Sequence, residues 1–227
     1  AALAATGPHP AAAERARQIL AELGTNYFSY PNRDNVLGPS RLFFSTYLES
    51  VWLLDYLAAA VLLRSAGELD DETAALVSAV ADEAANLIGD FDEGFSNRQT
   101  WHAAALLAIA VWFEDEELAA RALESETGLA AHLLNGFGAD GMWYEGENYH
   151  LFALQGLLAG LAWSRAAGVQ LMADPELAAR LHVVTGRREE VLEVELFFAL
   201  ARPLGAVAQR VGEAHLGRAR PERGLLA

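Results

Sequence analysis

The sequence predicts an all-α fold, an (α/α) toroid of antiparallel helices. Three observations carry this. Nearly every segment repeats its apolar residues at helical rather than alternating spacing. Ala and Leu, both strong helix formers, dominate the composition. No strand-like alternation of useful length interrupts them. Paired helices joined by short connections, with larger polar loops on one side, favour a toroid over a plain bundle or a solenoid. No repeat at a fixed period is visible.

The elements follow in order. Residues 11–23 form an amphipathic helix closed by Gly24, and a loop rich in Asn, Pro and Tyr runs from Thr25 to Pro39. Ser40 caps a long helix to about Ser65, which Gly67 ends. Asp70 or Asp71 starts the next, to about Ile88. Ser96 or Asn97 opens a helix through Trp112. Short helices cover Asp115 to Leu123 and Thr127 to Leu134. Gly136 to Gly146 is a glycine-rich loop, and a helix then runs from about Asn148 to Ala167. Residues 175–182 and 188–201 are further helices. Trp52, Trp112 and Trp163 lie on apolar helices and are expected in the core.

Composition narrows the function. With 227 residues, 53% of them hydrophobic, the chain is long enough to bury a real core. It has no cysteine, which excludes disulfides and thiolate metal sites. His9, His132, His182 and His215 show no metal-ligand spacing, so neither metal nor cofactor is expected. The net charge is −15, and residues 1–173 hold 8 Arg against 23 acids. That acidic body argues against nucleic acid and against an anionic membrane surface as partners. The absence of lysine reads as a codon bias. The longest apolar run, Val51 to Leu63, carries Asp55 and is too short to cross a bilayer. The start at Ala1, without a basic segment before an apolar stretch, fits a mature, processed or fragmentary chain. Its location is left open between the cytoplasm and a bacterial periplasm or medium.

Two clusters carry chemistry. Ser96-Asn97-Arg98-Gln99-Thr100-Trp101-His102 opens a helix, where Asn97 shares a face with Trp101 and Arg98 with His102. Free N–H groups and the positive end of the helix dipole suit an anion there. The plainer alternative makes Ser96 or Asn97 an N-cap, Trp101 core and His102 a satisfied polar residue. The second cluster is Asp140-Gly-Met-Trp-Tyr-Glu-Gly-Glu-Asn-Tyr149-His150. Trp143 and Tyr144 are candidate sugar platforms, with Glu145 and His150 as polar contacts. The alternative is a tight interhelical connection with Asn148 as N-cap. Tyr27, Tyr30, Asn32 and Arg33 form a polar-aromatic loop that is a weaker cleft candidate.

Taken in order, Asn97 to His102, a gap of about forty residues, and Asp140-Gly-Met-Trp-Tyr-Glu-Gly leading to Tyr149-His150 resemble the heparinase II/III-like polysaccharide lyases. The segment Arg41-Leu-Phe-Phe-Ser-Thr-Tyr-Leu-Glu-Ser-Val-Trp-Leu-Leu is similar to their helical domain, and the likeness covers roughly residues 20–170. The related alginate lyases share the helical toroid and the Asn…Tyr-His pattern.

The resemblance implies β-elimination on an anionic uronate polysaccharide or oligosaccharide. The C5 proton of a uronate is only weakly acidic beside a charged carboxylate. Such an enzyme neutralises that carboxylate, removes the proton and protonates the departing oxygen. By resemblance Asn97 is the neutraliser and Tyr149 the general base, acid or both. An unperturbed tyrosine has a pKa of about 10, so a basic role needs a cation nearby, and His150, His102 and Arg98 are the candidates. The resemblance thus nominates Asn97, Tyr149, His102 and Arg98 as catalytic, and Trp101, Trp143, Tyr144, Glu145 and His150 as substrate contacts.

Two departures stand out. Many relatives carry a histidine directly after the motif Asn, where this chain has Arg98. Relatives also continue into a β-sandwich that supplies another catalytic histidine. The expectation is therefore a helical domain at 1–182, an incomplete toroid lacking the C-terminal β-sandwich, followed by a divergent tail at 183–227 whose Arg187-Arg-Glu-Glu and Gly217-Arg-Ala-Arg-Pro-Glu-Arg runs read as solvated charge. Weak or absent activity and some aggregation are expected of the chain as it stands. Two alternatives remain: a non-catalytic sugar-binding helical fragment, and an α/α-toroid glycoside hydrolase dependent on Glu145, with Glu147, or on Asp140.

Overall fold

The computed structural model describes residues 10–32 and 36–185. Its elements are α1 (Pro10–Tyr27), α2 (Thr46–Ser65), α3 (Asp71–Gly89), α4 (Asn97–Phe113), α5 (Glu116–Glu124), α6 (Leu129–Asn135), α7 (Glu147–Ala166), a 3-10 turn (Leu171–Ala173) and α8 (Pro175–Thr185). The fold is all-α. Among the described residues an isolated antiparallel bridge pairs Phe137 with Trp143. The helix expected at 188–201, the charged tail, His9, Arg33 and His215 lie outside the described residues.

Local chemistry sets the helix starts. Asp70 accepts from Thr73 N at 2.7 Å, with Asp71 and Glu72 in the first turn favouring the dipole. Ser96 accepts from Gln99 N at 3.2 Å, and Asp115 from Leu118 N at 2.9 Å. Helix α2 ends at Gly67, whose φ of +70° suits a residue without a Cβ.

Side-chain contacts fix the helix directions. Arg98 at the start of α4 lies over the Tyr47 ring at the start of α2, 5.7 Å from its centroid. Arg64 at the end of α2 covers Trp112 at the end of α4 at 3.3 Å. The two helices are therefore parallel. Helix α7 is parallel to α4 as well, because Asn97 meets Glu145 just before α7 and Trp101 meets Phe152 within it. Helix α1 runs the other way, with Tyr27 bonded to Glu49 and Tyr56 to Leu20 O. Helix α3 is antiparallel to α4, since Ser78 meets Trp112 and Phe91 meets His102. Helices α2, α4 and α7 thus form one row, with α1 and α3 packed against it as a second layer. The row lies in the core: α4 buries His102 and nearly every residue from Ala103 to Trp112.

Five expectations need correction. Gly24 does not end α1. A Cβ there would stand 2.9 Å from Leu76 Cβ and 3.0 Å from the Tyr56 hydroxyl, so the glycine permits close approach to α3 while the helix continues to Tyr27. Ser40 does not cap α2, which begins six residues later behind Ser45. Glu49, fully buried, captures the backbone N–H groups of Arg41 at 3.3 Å and Leu42 at 3.0 Å, and so holds that stretch as a loop. Asn148 is not the cap of α7; Gly146 holds that place. Helix α2, at 20 residues, outlasts its apolar run and is long and apolar enough to cross a membrane, but 61% of that window is buried against neighbouring helices. Trp112 and Trp163 are core residues as expected, while Trp52 is half-buried in a stack between Tyr27 and Tyr56.

Candidate functional site

Because α2, α4 and α7 are parallel, their N-termini share one end of the molecule. There the loop before α2, the start of α4 and the loop 136–146 come together, and both sequence clusters meet. The positive ends of helix dipoles add at such a place.

The glycine-rich loop is built as a rigid unit. Gly138 N donates to Met142 O at 2.7 Å and Tyr144 N to Gly136 O at 2.9 Å. Asp140 accepts from Met142 N at 3.0 Å. Arg180 of α8 reaches across to donate to the Phe137 and Gly138 carbonyls. Gly141, at φ +79°, is pressed against α8, where a Cβ would meet Val183 O at 2.7 Å.

Trp143 is the pillar of this loop, not a platform. It is 1% exposed, stacked near-parallel to His132 and edge-on to Phe137, so no sugar reaches its face. Its backbone N–H donates to His150 Nδ1 at 3.1 Å. His150 is therefore a buried loop anchor with its Nδ1 unprotonated, which corrects its assignment as a substrate contact. The Trp143 indole N–H donates to Glu145 Oε2 at 2.8 Å.

That same oxygen accepts from Asn97 twice, from the backbone N–H and from Nδ2, both at 2.8 Å. Asn97 is 5% exposed, so little of it meets solvent. Arg98, next along α4, pairs with Glu93 at 2.7 Å and overlies Tyr47. Burial raises the Glu93 pKa, Arg98 lowers it, and Glu145 raises it further. The sequence marks neither Glu93 nor Tyr47 as a site residue, although Tyr47 lies in the Arg41–Leu54 segment. Glu93 precedes the helix cap and shows no periodic relation to Arg98, so nothing in the spacing marks it.

Trp101 is half-buried; its indole N–H is spent on Phe152 O at 3.0 Å. His102 is fully buried, with Nδ1 3.1 Å from Gln99 Oε1. Burial drives its pKa down to about 4, so the ring is neutral and out of reach of a ligand. This corrects its assignment as a catalytic group. Of the three groups named to activate Tyr149, His102 is buried and His150 is engaged by the Trp143 backbone, which leaves Arg98, itself paired with Glu93.

Two aromatic residues of the second cluster remain exposed. Tyr149, in the first turn of α7, is 50% exposed. Tyr144 is 57% exposed and donates its hydroxyl to Phe95 O. A cavity of about 80 Å³ beside the site, lined by Phe91, Asp92, Gln99, Arg121 and Thr127, is too small for a sugar unit. Among the described residues no group of three His, Cys, Asp or Glu side chains is placed to hold a metal. Neither a protein-family model nor a curated protein matches this chain.

Proposed function

We propose that the chain is the helical domain of a heparinase II/III-like polysaccharide lyase, its hairpins forming part of an (α/α) toroid, and that it acts on a uronate-containing polysaccharide by β-elimination. The observation that carries this reading is the bond between Asn97 and Glu145, which brings the start of α4, with Arg98, to the loop that leads into α7 and its first-turn Tyr149. A parallel inner row backed by antiparallel helices is the local pattern a toroid repeats.

In the proposed reaction Asn97 donates a hydrogen bond to the uronate carboxylate, which lowers the cost of the carbanion formed at C5. Tyr149 takes the C5 proton, the C4–O bond breaks, and a C4=C5 double bond forms. The proton goes to the departing oxygen, which leaves as a sugar hydroxyl. Arg98 supplies the nearby positive charge, and Tyr144 presents an exposed aromatic surface to the sugar.

The glycoside hydrolase reading is weakened by what its carboxylates do. Glu145 is committed to three donors and Asp140 to a turn. A second reading, sugar binding without catalysis, is favoured by the small exposure of Asn97. Ultraviolet absorbance of the unsaturated product, measured over a panel of uronate polysaccharides with Tyr149→Phe as control, separates the two. A signal lost in Tyr149→Phe establishes the lyase. Binding without any signal, weakened by Tyr144→Ala, establishes the binding module.

A further inference from the structure

Glu145 Oε2 accepts three hydrogen bonds, from Asn97 N, Asn97 Nδ2 and Trp143 Nε1, each at 2.8 Å. An ionised carboxylate only accepts, so the NH2 end of the Asn97 amide must face it. That fixes the flip of the amide. The carbonyl end is turned away, and one of the two Nδ2 hydrogens is left for another acceptor. Bonds to a charged acceptor are about twice as strong as neutral ones. The carboxylate is itself braced. Trp143 is held by His150 Nδ1 through its backbone and by His132 and Phe137 through its ring. The Asn97 backbone N–H is the first of α4, where the helix dipole favours a negative partner. A buried cap needs only the backbone bond; the additional bond to Nδ2 is what orients a side chain.

We propose that Glu145 is a positioning residue for Asn97, holding its amide in the flip that leaves one N–H to donate to a uronate carboxylate. This rests on the uronate reading above. Glu145 touches no reacting atom in this scheme and acts only through Asn97.

The test uses the full chain, labelled with 15N, as wild type, Glu145→Gln, Glu145→Ala and Trp143→Phe. The Asn97 Nδ2 protons are observed by NMR, with and without trimers of mannuronate, of guluronate and of a glucuronate-containing chain. Product absorbance gives kcat and KM. In the wild type the two protons are expected to be well separated and slow to exchange, and to shift on addition of a trimer. Glu145→Ala merges and frees them. It lowers kcat by about a hundredfold while changing KM far less, as expected for an interaction needed mainly in the transition state. Glu145→Gln keeps an acceptor in place and restores part of both. Trp143→Phe removes one donor to the carboxylate but keeps Glu145, so it lowers thermal stability while perturbing the Asn97 signals less than Glu145→Ala does, an order that a merely structural role for Glu145 does not predict.

Asn97 signals in Glu145→Gln and Glu145→Ala identical to wild type overturn the positioning role, as does a kcat unchanged in both. Asn97 signals in the wild type indifferent to every trimer overturn it also. A wild type that yields no unsaturated product, but whose Asn97 signals shift with a trimer only when Glu145 is present, supports the positioning and overturns the lyase reading alone.

Discussion

Asn97 and Glu145 stand 48 residues apart and meet at one carboxylate oxygen, which takes both the backbone and the side-chain N–H of the asparagine. This contact joins the start of α4 to the loop that leads into α7. It ties the two sequence clusters together through a single acceptor.

Asn97→Asp sets a second carboxylate against Glu145 and is expected to destabilise the fold by about 2–3 kcal/mol at neutral pH. Like charges in one site raise the pKa of one member in the folded state. The penalty is therefore absent below the unfolded carboxylate pKa, grows as pH rises above it, and levels off once pH exceeds the raised folded pKa. Urea midpoints of the variant relative to wild type should recover at the acidic end of the carboxylate range. A penalty independent of pH would exclude charge repulsion as its cause.

Trp143→Ala is expected to cost about 3–5 kcal/mol, because it empties a fully packed site beside His132 and Phe137 and removes a donor to Glu145. Tyr144→Ala, by contrast, removes an exposed ring and should change stability little while weakening sugar binding. Thermal melts and trimer titration of the two variants check the contrast. The opposite pattern would restore Trp143 as the sugar platform.

His102 gives the fold a dependence on pH. Its folded pKa, lowered to about 4 by burial, lies below the unfolded value of about 6.5. Stability is therefore fully present above pH 6.5 and is lost as pH falls toward 4, because the unfolded chain takes up the proton first. The loss amounts to about 3 kcal/mol. His102→Phe removes this contribution, so the difference in stability between wild type and variant should narrow or reverse between pH 7 and pH 4. Parallel curves would show that the ring titrates normally in the fold.

Gly156 sets the approach of α7 to α4. An added Cβ would lie 2.2 Å from Thr100 Oγ1 and 3.0 Å from Thr100 Cβ. Gly156→Ala is expected to destabilise by about 1–3 kcal/mol through overpacking, against a gain of about 1 kcal/mol in helix propensity. Combining it with Thr100→Gly should recover part of the loss. A double-mutant cycle by chemical denaturation reads this coupling directly, and strict additivity would argue against the contact.

The sequence by itself determined that the described chain is helical and where most helices begin. Asp70, Ser96 and Asp115 act within three residues of the amides they cap, and the apolar spacing of α3 or α7 is a property of a single segment. Tertiary structure decided what depends on distant partners. Gly24 sits inside a helix because Leu76 and Tyr56 press against it, and Ser40 lies in a loop because Glu49 holds the neighbouring amides. Trp143 and Tyr144 are adjacent aromatics in one loop, yet one is a buried pillar and the other is exposed. Glu145, which sequence offers as a sugar contact, is committed to Asn97 and Trp143. Burial and hydrogen-bond partnership are set by which segments the packed helices bring together, and the order of residues along one segment does not contain them.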